Sequence, residues 1–206
     1  MPKLYTCKAT GCTAKFERVY SSLQIVCGQR CAIDYATQQN KKKAEQTAKQ
    51  SRKALREYNR RDLRWQHKQT QPAFNRMRVL EEMLWFEMVG LEPTCISCNK
   101  PNMDWCCGHF KTRGAQPELR YDRKNTYLQC NKYCNSSLSG NIEGNKHTRG
   151  YKQGLVDRFG ESEAAEIMEY CDQFTLLNKW SWQELEAMRK QFNKKIRLLE
   201  AARATA

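Results

Sequence analysis

Eight of the eleven cysteines in this 206-residue chain fall into four close pairs. Cys95/Cys98 (C-x2-C) and Cys130/Cys134 (C-x3-C) constrain the fold most. Each pair offers two sulfurs from one short turn, and two such pairs close a tetrahedral zinc site when the segment between them folds back. With four thiolates the zinc has no open position, so its role is structural. The residues between the pairs are then held beside it: W-C-C-G-H-F, a basic stretch ending in R-Y-D-R-K-N, and C-N-K-Y-C-N followed by S-S-L-S-G-N. Cys106 and Cys107 stand close enough in sequence for either to replace one of the four ligands.

Chemistry in this stretch points to His109, Asn125 and Asn135. An unperturbed imidazole is about half ionised near pH 6.5 and can take a proton from water, which makes His109 a candidate general base. Asn135 directly follows a zinc ligand, so its amide oxygen has little freedom and suits a hard divalent cation such as Mg²⁺ or Mn²⁺. Asn125 is expected to orient the histidine loop through backbone hydrogen bonds. Lys111, Arg113, Arg120, Arg123 and Lys124 surround the histidine in sequence and suit phosphate contacts.

The same residues carry a resemblance. The segment resembles an HNH (ββα-metal) nuclease module, with a histidine at a strand end, an asparagine in the loop and a third ligand on a helix. P-T-C-I-S-C, G-H-F-K-T-R, P-E-L-R-Y-D-R-K-N and C-N-S-S-L-S-G-N resemble more closely the NinG (Rap) recombination proteins of lambdoid phages. The C-N pair is also similar to phage endonuclease VII, in which that asparagine ligates metal. The resemblance implies a phage-encoded, structure-specific endonuclease that cuts branched recombination intermediates such as Holliday junctions and D-loops. Two positions depart from the family pattern. Cys106 stands three before the histidine, where the family carries an acidic residue, and the closing knuckle is C-x3-C where C-x2-C is usual.

The chain as a whole is strongly basic, 36 Lys and Arg against 22 Asp and Glu, a net charge of +14. Such a balance favours a polyanionic partner, because each neutralised phosphate releases condensed counterions. A hydrophobic content of 40% is low for one large core, whose usual share is about 45–50%. The fold class expected is therefore α+β, mainly helical, made of small zinc-stapled modules and helices. No run of about 18 apolar residues spans a membrane, and M-P-K-L-Y-T-C does not read as an export signal. A cytoplasmic, reducing location in the bacterial host follows as an expectation, and cysteines there read as metal ligands before disulfides.

Taken in order, residues 1–35 form a second candidate zinc module on Cys7, Cys12, Cys27 and Cys31, with R-V-Y-S-S-L-Q-I-V expected as a strand or hairpin. Residues 36–71 read as a basic helical connector. Lys41, Lys42, Lys43, Arg52 and Lys53 on it either contact the DNA backbone or form the solvated face of a spacer. Residues 72–145 comprise a helix opened by Pro72 and stopped by Gly90, then the nuclease-like module. Residues 146–206 read as a Gly-rich basic loop after Asn141, a helix capped by Ser162, and a last helix opened by the capping box of Ser181 and Glu184.

Apolar stripes on the helix after Pro72 (Phe74, Met77, Leu80, Met83, Leu84, Met88) and on the last helix (Trp182, Leu185, Met188, Phe192, Ile196, Leu199) either pack together or form a dimer seam. Two-fold junction cutting favours a homodimer. Three function classes follow: a metal-dependent junction endonuclease, a non-catalytic zinc-finger nucleic-acid binder, and a structural recombination mediator.

Overall fold

In this computed structural model residues 2–138, 140–174 and 179–204 are described. The chain divides into two compact units, residues 1–59 and 60–206. In the first, β1 (Tyr5–Thr6) and β2 (Lys15–Phe16) pair antiparallel, with Tyr5 opposite Phe16. The expected strand around residues 18–26 does not form. The ladder uses residues 5–6 and 15–16, and residues 18–26 make turns in which Gln24 Oε1 accepts from the amides of Val19 and Tyr20.

Helix α1 (Gln29–Arg61) starts earlier than the sequence reading placed it. Cys27 and Cys31 are four apart, one helical turn, so Cys31 lies in the first turn of α1 and joins helix to knuckle. None of the 33 residues of α1 is buried, which agrees with its shortage of apolar side chains.

In the second unit, α2 runs Leu63–Met88 and Pro72 lies inside it. The sequence expectation that Pro72 opens the helix is corrected by Asp62, whose carboxylate accepts from Arg64 N and caps the N-terminus nine residues before the first position assigned from Pro72. Gly90 follows the helix with φ +69°, the left-handed conformation expected of a C-terminal stop. Helix α6 (Trp182–Ala204) packs along α2 in parallel. Gln66 meets Arg189 and Glu87 meets Arg203, so both chains run the same way. Phe74, Met77, Leu185, Ile196 and Leu199 are buried together, with Leu80, Leu84, Met188 and Phe192 around them. The two stripes therefore cover each other within one chain, except at Met88, which is exposed at the end of α2. Ser181 and Glu184 close the capping box in both directions, at 3.2 and 2.7 Å.

Against α2 stands a two-stranded antiparallel sheet, β3 (Trp105–His109) and β4 (Thr126–Cys130), with His109 opposite Thr126. A π turn (Asn131–Asn135) follows β4 and leads into α3 (Ser136–Leu138). Ser136 N donates to Asn131 O, an i→i+5 bond. The extra residue of C-x3-C is absorbed as this wide turn.

Helices α4 (Gly150–Phe159) and α5 (Glu161–Gln173) cover the other side of the sheet around Ile96, Phe110, Leu119, Tyr127, Tyr151 and Leu155. Ser162 does not cap α5, since the helix begins at Glu161 after Gly160, whose φ of +81° ends α4 and redirects the chain. The Gly-rich loop is bonded as a turn, with Asn145 and Thr148 bridging at 2.9 and 3.1 Å.

A buried ion network ties α2, β4 and α4. Arg78 donates to Thr126 O (2.7 Å) and to the carboxylates of Glu81 and Glu82 (2.7 and 2.8 Å). Glu82 also receives Arg158 (3.0 Å) and the Leu128 amide (3.3 Å). Each buried charge has an opposite partner, the condition under which such a network is tolerated.

Candidate active site and metal centres

Two groups of four sulfurs are gathered: Cys7, Cys12, Cys27 and Cys31 in the first unit, and Cys95, Cys98, Cys130 and Cys134 in the second, each with its sulfurs within 4.8 Å of one another. Four soft ligands at that separation fit a tetrahedral zinc ion. In the second group burial works against the thiolates, and Cys134 is pushed up by it. At Cys95 the same burial is outweighed by backbone N–H groups of Cys130, Cys98 and Ser97, which pull that thiol below its ordinary value. Cys130 N donates to Cys95 Sγ at 3.3 Å. Four thiolates so close ionise together only around a cation, so the donor set matches the ion.

Neither Cys106 nor Cys107 belongs to that group. The Cys107 thiol is buried among the α2 and α6 side chains, and Cys106 borders the cavity that holds His109. Burial pushes both thiols up to about 12 and keeps them protonated. The four sulfurs gathered in this unit are those of Cys95, Cys98, Cys130 and Cys134.

Beside the zinc site lies a cavity of about 380 Å³ lined by His109, Asn135, Asn131, Asn141, Thr112 and Arg113, among others. His109 ends β3. Its Nε2 lies 3.1 Å from Arg120 O, and since a carbonyl only accepts, Nε2 carries the proton and Nδ1 the lone pair. Burial lowers the His109 pKa to about 4, opposed by the hydrogen bond to Arg120 O and assisted by the charge of Arg113. The imidazole is therefore neutral at pH 7.

Asn125 does not line the cavity. It is fully buried, its Oδ1 accepts from Lys111 N (2.7 Å), and its Nδ2 donates to Lys111 O (3.0 Å) and Leu119 O (3.2 Å). One amide thus pins the chain just after His109 to the 3-10 turn Pro117–Tyr121 that carries Arg120. Tyr151 Oη bridges the strands, accepting from Tyr127 N and donating to Gly108 O, both at 3.0 Å.

The basic residues separate into two sets. Lys41, Lys42, Lys43, Arg52 and Lys53 are exposed along α1. Of the five near the histidine, Lys111 pairs with Asp172, Arg123 binds Glu81 through two nitrogens, and Lys124 lies 4.6 Å over the Tyr170 ring. Arg113 borders the cavity, and Arg120 borders an adjoining groove. The sequence reading counted these five as equivalent, and their acidic partners, far off in the chain, set them apart.

Asn131, Asn141 and Asn75 also face the cavity and were missed from sequence. A signal existed for Asn131, because like Asn135 it directly follows a cysteine of the second group, although C-N also occurs at 98–99. Asn75 lies on α2, thirty residues upstream of β3, and carries no local mark.

The described lining includes no carboxylate. Amide and hydroxyl oxygens are hard donors, but Mg²⁺ is ordinarily held by one or two carboxylates together with substrate phosphates. The described protein residues alone therefore make an incomplete site for such an ion.

Against known proteins, residues 1–202 match the family described as bacteriophage lambda NinG protein. The chain belongs to this family. Proteins named ninG from Escherichia phage 933W and Salmonella phage P22 are each 30% identical to it over 113 residues, and that of Escherichia phage lambda is 29% identical. These alignments cover 54% of the chain, which spans about half the length of the curated relatives it matches, 51% for phage 933W and 50% for P22 and lambda. No solved structure matches the chain. Among the described residues no helix of this NinG-family protein is long and apolar enough to cross a membrane.

Proposed function

We propose that this NinG-family chain is a structure-specific DNA endonuclease that hydrolyses phosphodiester bonds in branched recombination intermediates, with a ββα-metal arrangement formed by β3, β4 and the helical turns after Cys130. The observation that carries the reading is the convergence, in one cavity, of a neutral imidazole whose Nε2 is held by Arg120 O and of Asn135. In this reading His109 Nδ1 accepts a proton from the attacking water. Asn125 and Arg120 O are positioning groups that fix the ring. Arg113 meets the non-bridging oxygens of the scissile phosphate. A divalent cation shared between Asn135 and that phosphate would supply neutralisation of charge at the reacting oxygens.

A base lowered to about 4 is always free to accept a proton but accepts it weakly. A phosphate seated beside the ring adds negative charge and raises its basicity, so the base is strengthened where and when substrate is bound. The two tetrathiolate sites are structural zinc. Recognition is by DNA shape and backbone, in keeping with the basic charge and with exposed cations along α1. Homodimerisation remains part of the proposal on the symmetry of the task, with α2 and α6 already engaged with each other.

The lack of a carboxylate in the described lining favours the second reading, a zinc-stapled binding protein whose partner cuts. The test is cleavage of a four-way junction, a flap and a linear duplex with Mg²⁺ or Mn²⁺. Wild type should cut the branched forms and stop in chelator. His109→Ala should lose on the order of 10²–10⁴ in rate while keeping zinc content and junction binding. Cutting by His109→Ala at the wild-type rate would sink the assignment.

A further inference from the structure

The cavity around His109 does not end at Arg113. A second hollow, of about 720 Å³, shares Asn75 and Arg113 with it and is bordered also by Arg64, Lys68, Arg120 and His67. Its cations come from three places: Arg64 and Lys68 one turn apart on α2, Arg113 after β3, and Arg120 on the 3-10 turn. No acidic residue is among the described lining.

That arrangement contrasts with Arg76, Arg78, Arg123, Arg149, Arg158 and Arg203, each of which is paired with a carboxylate. Like charges four apart on a helix repel, and two further guanidinium groups brought beside them add to the cost. Arg120 Nε is buried with no hydrogen-bond partner, an expense that protein contacts leave uncompensated. His67 adds no charge of its own. Its Nδ1 meets Tyr121 Oη at 2.9 Å, and burial and then the Arg120 charge lower its pKa.

Convergent cations without an acid, beside an unsatisfied buried donor, make a site for an anion. We propose that this groove seats the backbone phosphates of the DNA strand adjacent to the scissile one, with Arg64, Lys68 and Arg120 as positioning residues and Arg113 at the junction between groove and cavity. The inference rests on the endonuclease reading for its word scissile, while the groove's affinity for phosphates stands apart from cutting. Arg120 links the two hollows within one residue: its carbonyl fixes the His109 ring and its side chain borders the groove. A strand laid along the groove is thereby registered against the base.

The test uses the double variant Arg64→Gln/Lys68→Gln, with Lys194→Gln/Lys195→Gln on α6 as a control of equal charge loss. Zinc content and thermal unfolding establish that both are folded. Binding to a four-way junction is measured against salt in the His109→Ala background, and cleavage KM and kcat in the active one. The groove variant should bind several-fold more weakly, and its log–log salt slope should be smaller by about two. The control should keep more of both. In cleavage, KM should rise and the cut position should spread. Uncharged methylphosphonate linkages beside the cut should weaken wild type and leave the groove variant nearly unaffected. Equal losses in groove and control variants, or an unchanged slope in the groove variant, overturn the proposal. If wild type binds as described but never cuts, the endonuclease reading fails while the salt comparison still decides whether the groove holds phosphate.

Discussion

At the scale of single residues the site depends on two protonation and ligation questions. His109 has a folded-state pKa of about 4 against an ordinary 6.5, so the unfolded chain binds the proton more readily between those values. Its contribution to stability is complete above about pH 6.5, declines as pH falls, and is gone near pH 4. In urea unfolding from pH 7 to 4.5, wild type should lose stability faster than His109→Gln, and comparing the two removes the effect of acid on the zinc sites. Parallel curves would show that burial of this ring does not govern its titration. Asn135 poses the ligation question. Asn135→Asp keeps the shape and adds the carboxylate that the described lining lacks, so the metal concentration giving half-maximal cleavage should fall. A titration of rate against Mg²⁺ that superimposes on wild type would place the cation elsewhere.

At the scale of elements, much was legible because it depends on neighbours in sequence. The capping box at Ser181, the stop at Gly90, β3 over W-C-C-G-H and both cysteine sets needed only local chemistry. Pro72 was misread because helix start signals compete, and the Asp62 cap, which bonds Arg64 N, sets the start. Arg123 and Lys111 looked like phosphate ligands because Glu81 and Asp172 lie more than forty residues away. The Asn75 contribution and the groove beside it were illegible for the same reason.

One packing consequence of these elements is open to direct measurement. Gly154 of α4 lies so close to the first knuckle that a Cβ there would fall 1.6 Å from Ile96 O, a backbone atom. Gly154→Ala must push α4 away from the Cys95 loop, at a cost of about 1–3 kcal/mol, as for overpacked cores. Chemical unfolding should register that loss, together with faster release of zinc from the second site. A variant as stable as wild type would mean that α4 is not seated there.

For the whole molecule, the charge and the metal sites decide most. Purified protein should carry about two Zn²⁺ per chain, since tetrathiolate sites hold the metal tightly at neutral pH. Cys95→Ser should leave about one and unfold the second unit, while Cys7→Ser should leave that unit intact, because the two sulfur groups lie in separate compact units. Metal analysis with circular dichroism checks both outcomes, and a wild-type content of one or none contradicts the expectation.

The Glu82 carboxylate has a consequence for the order of synthesis. It receives Arg78, four residues before it, the Leu128 amide and Arg158, so its last partner is made long after its first. On a ribosome, all four thiols of the second zinc group are present once residue 134 has emerged, whereas the brace beneath the sheet waits for α4. A nascent chain stopped between those points can take up metal yet leaves β4 without Tyr151 and Glu82 without Arg158. The zinc-bracketed segment is thus not a portable cassette: transplanted without α2 and α4, it would keep its ion and lose the alignment of its histidine.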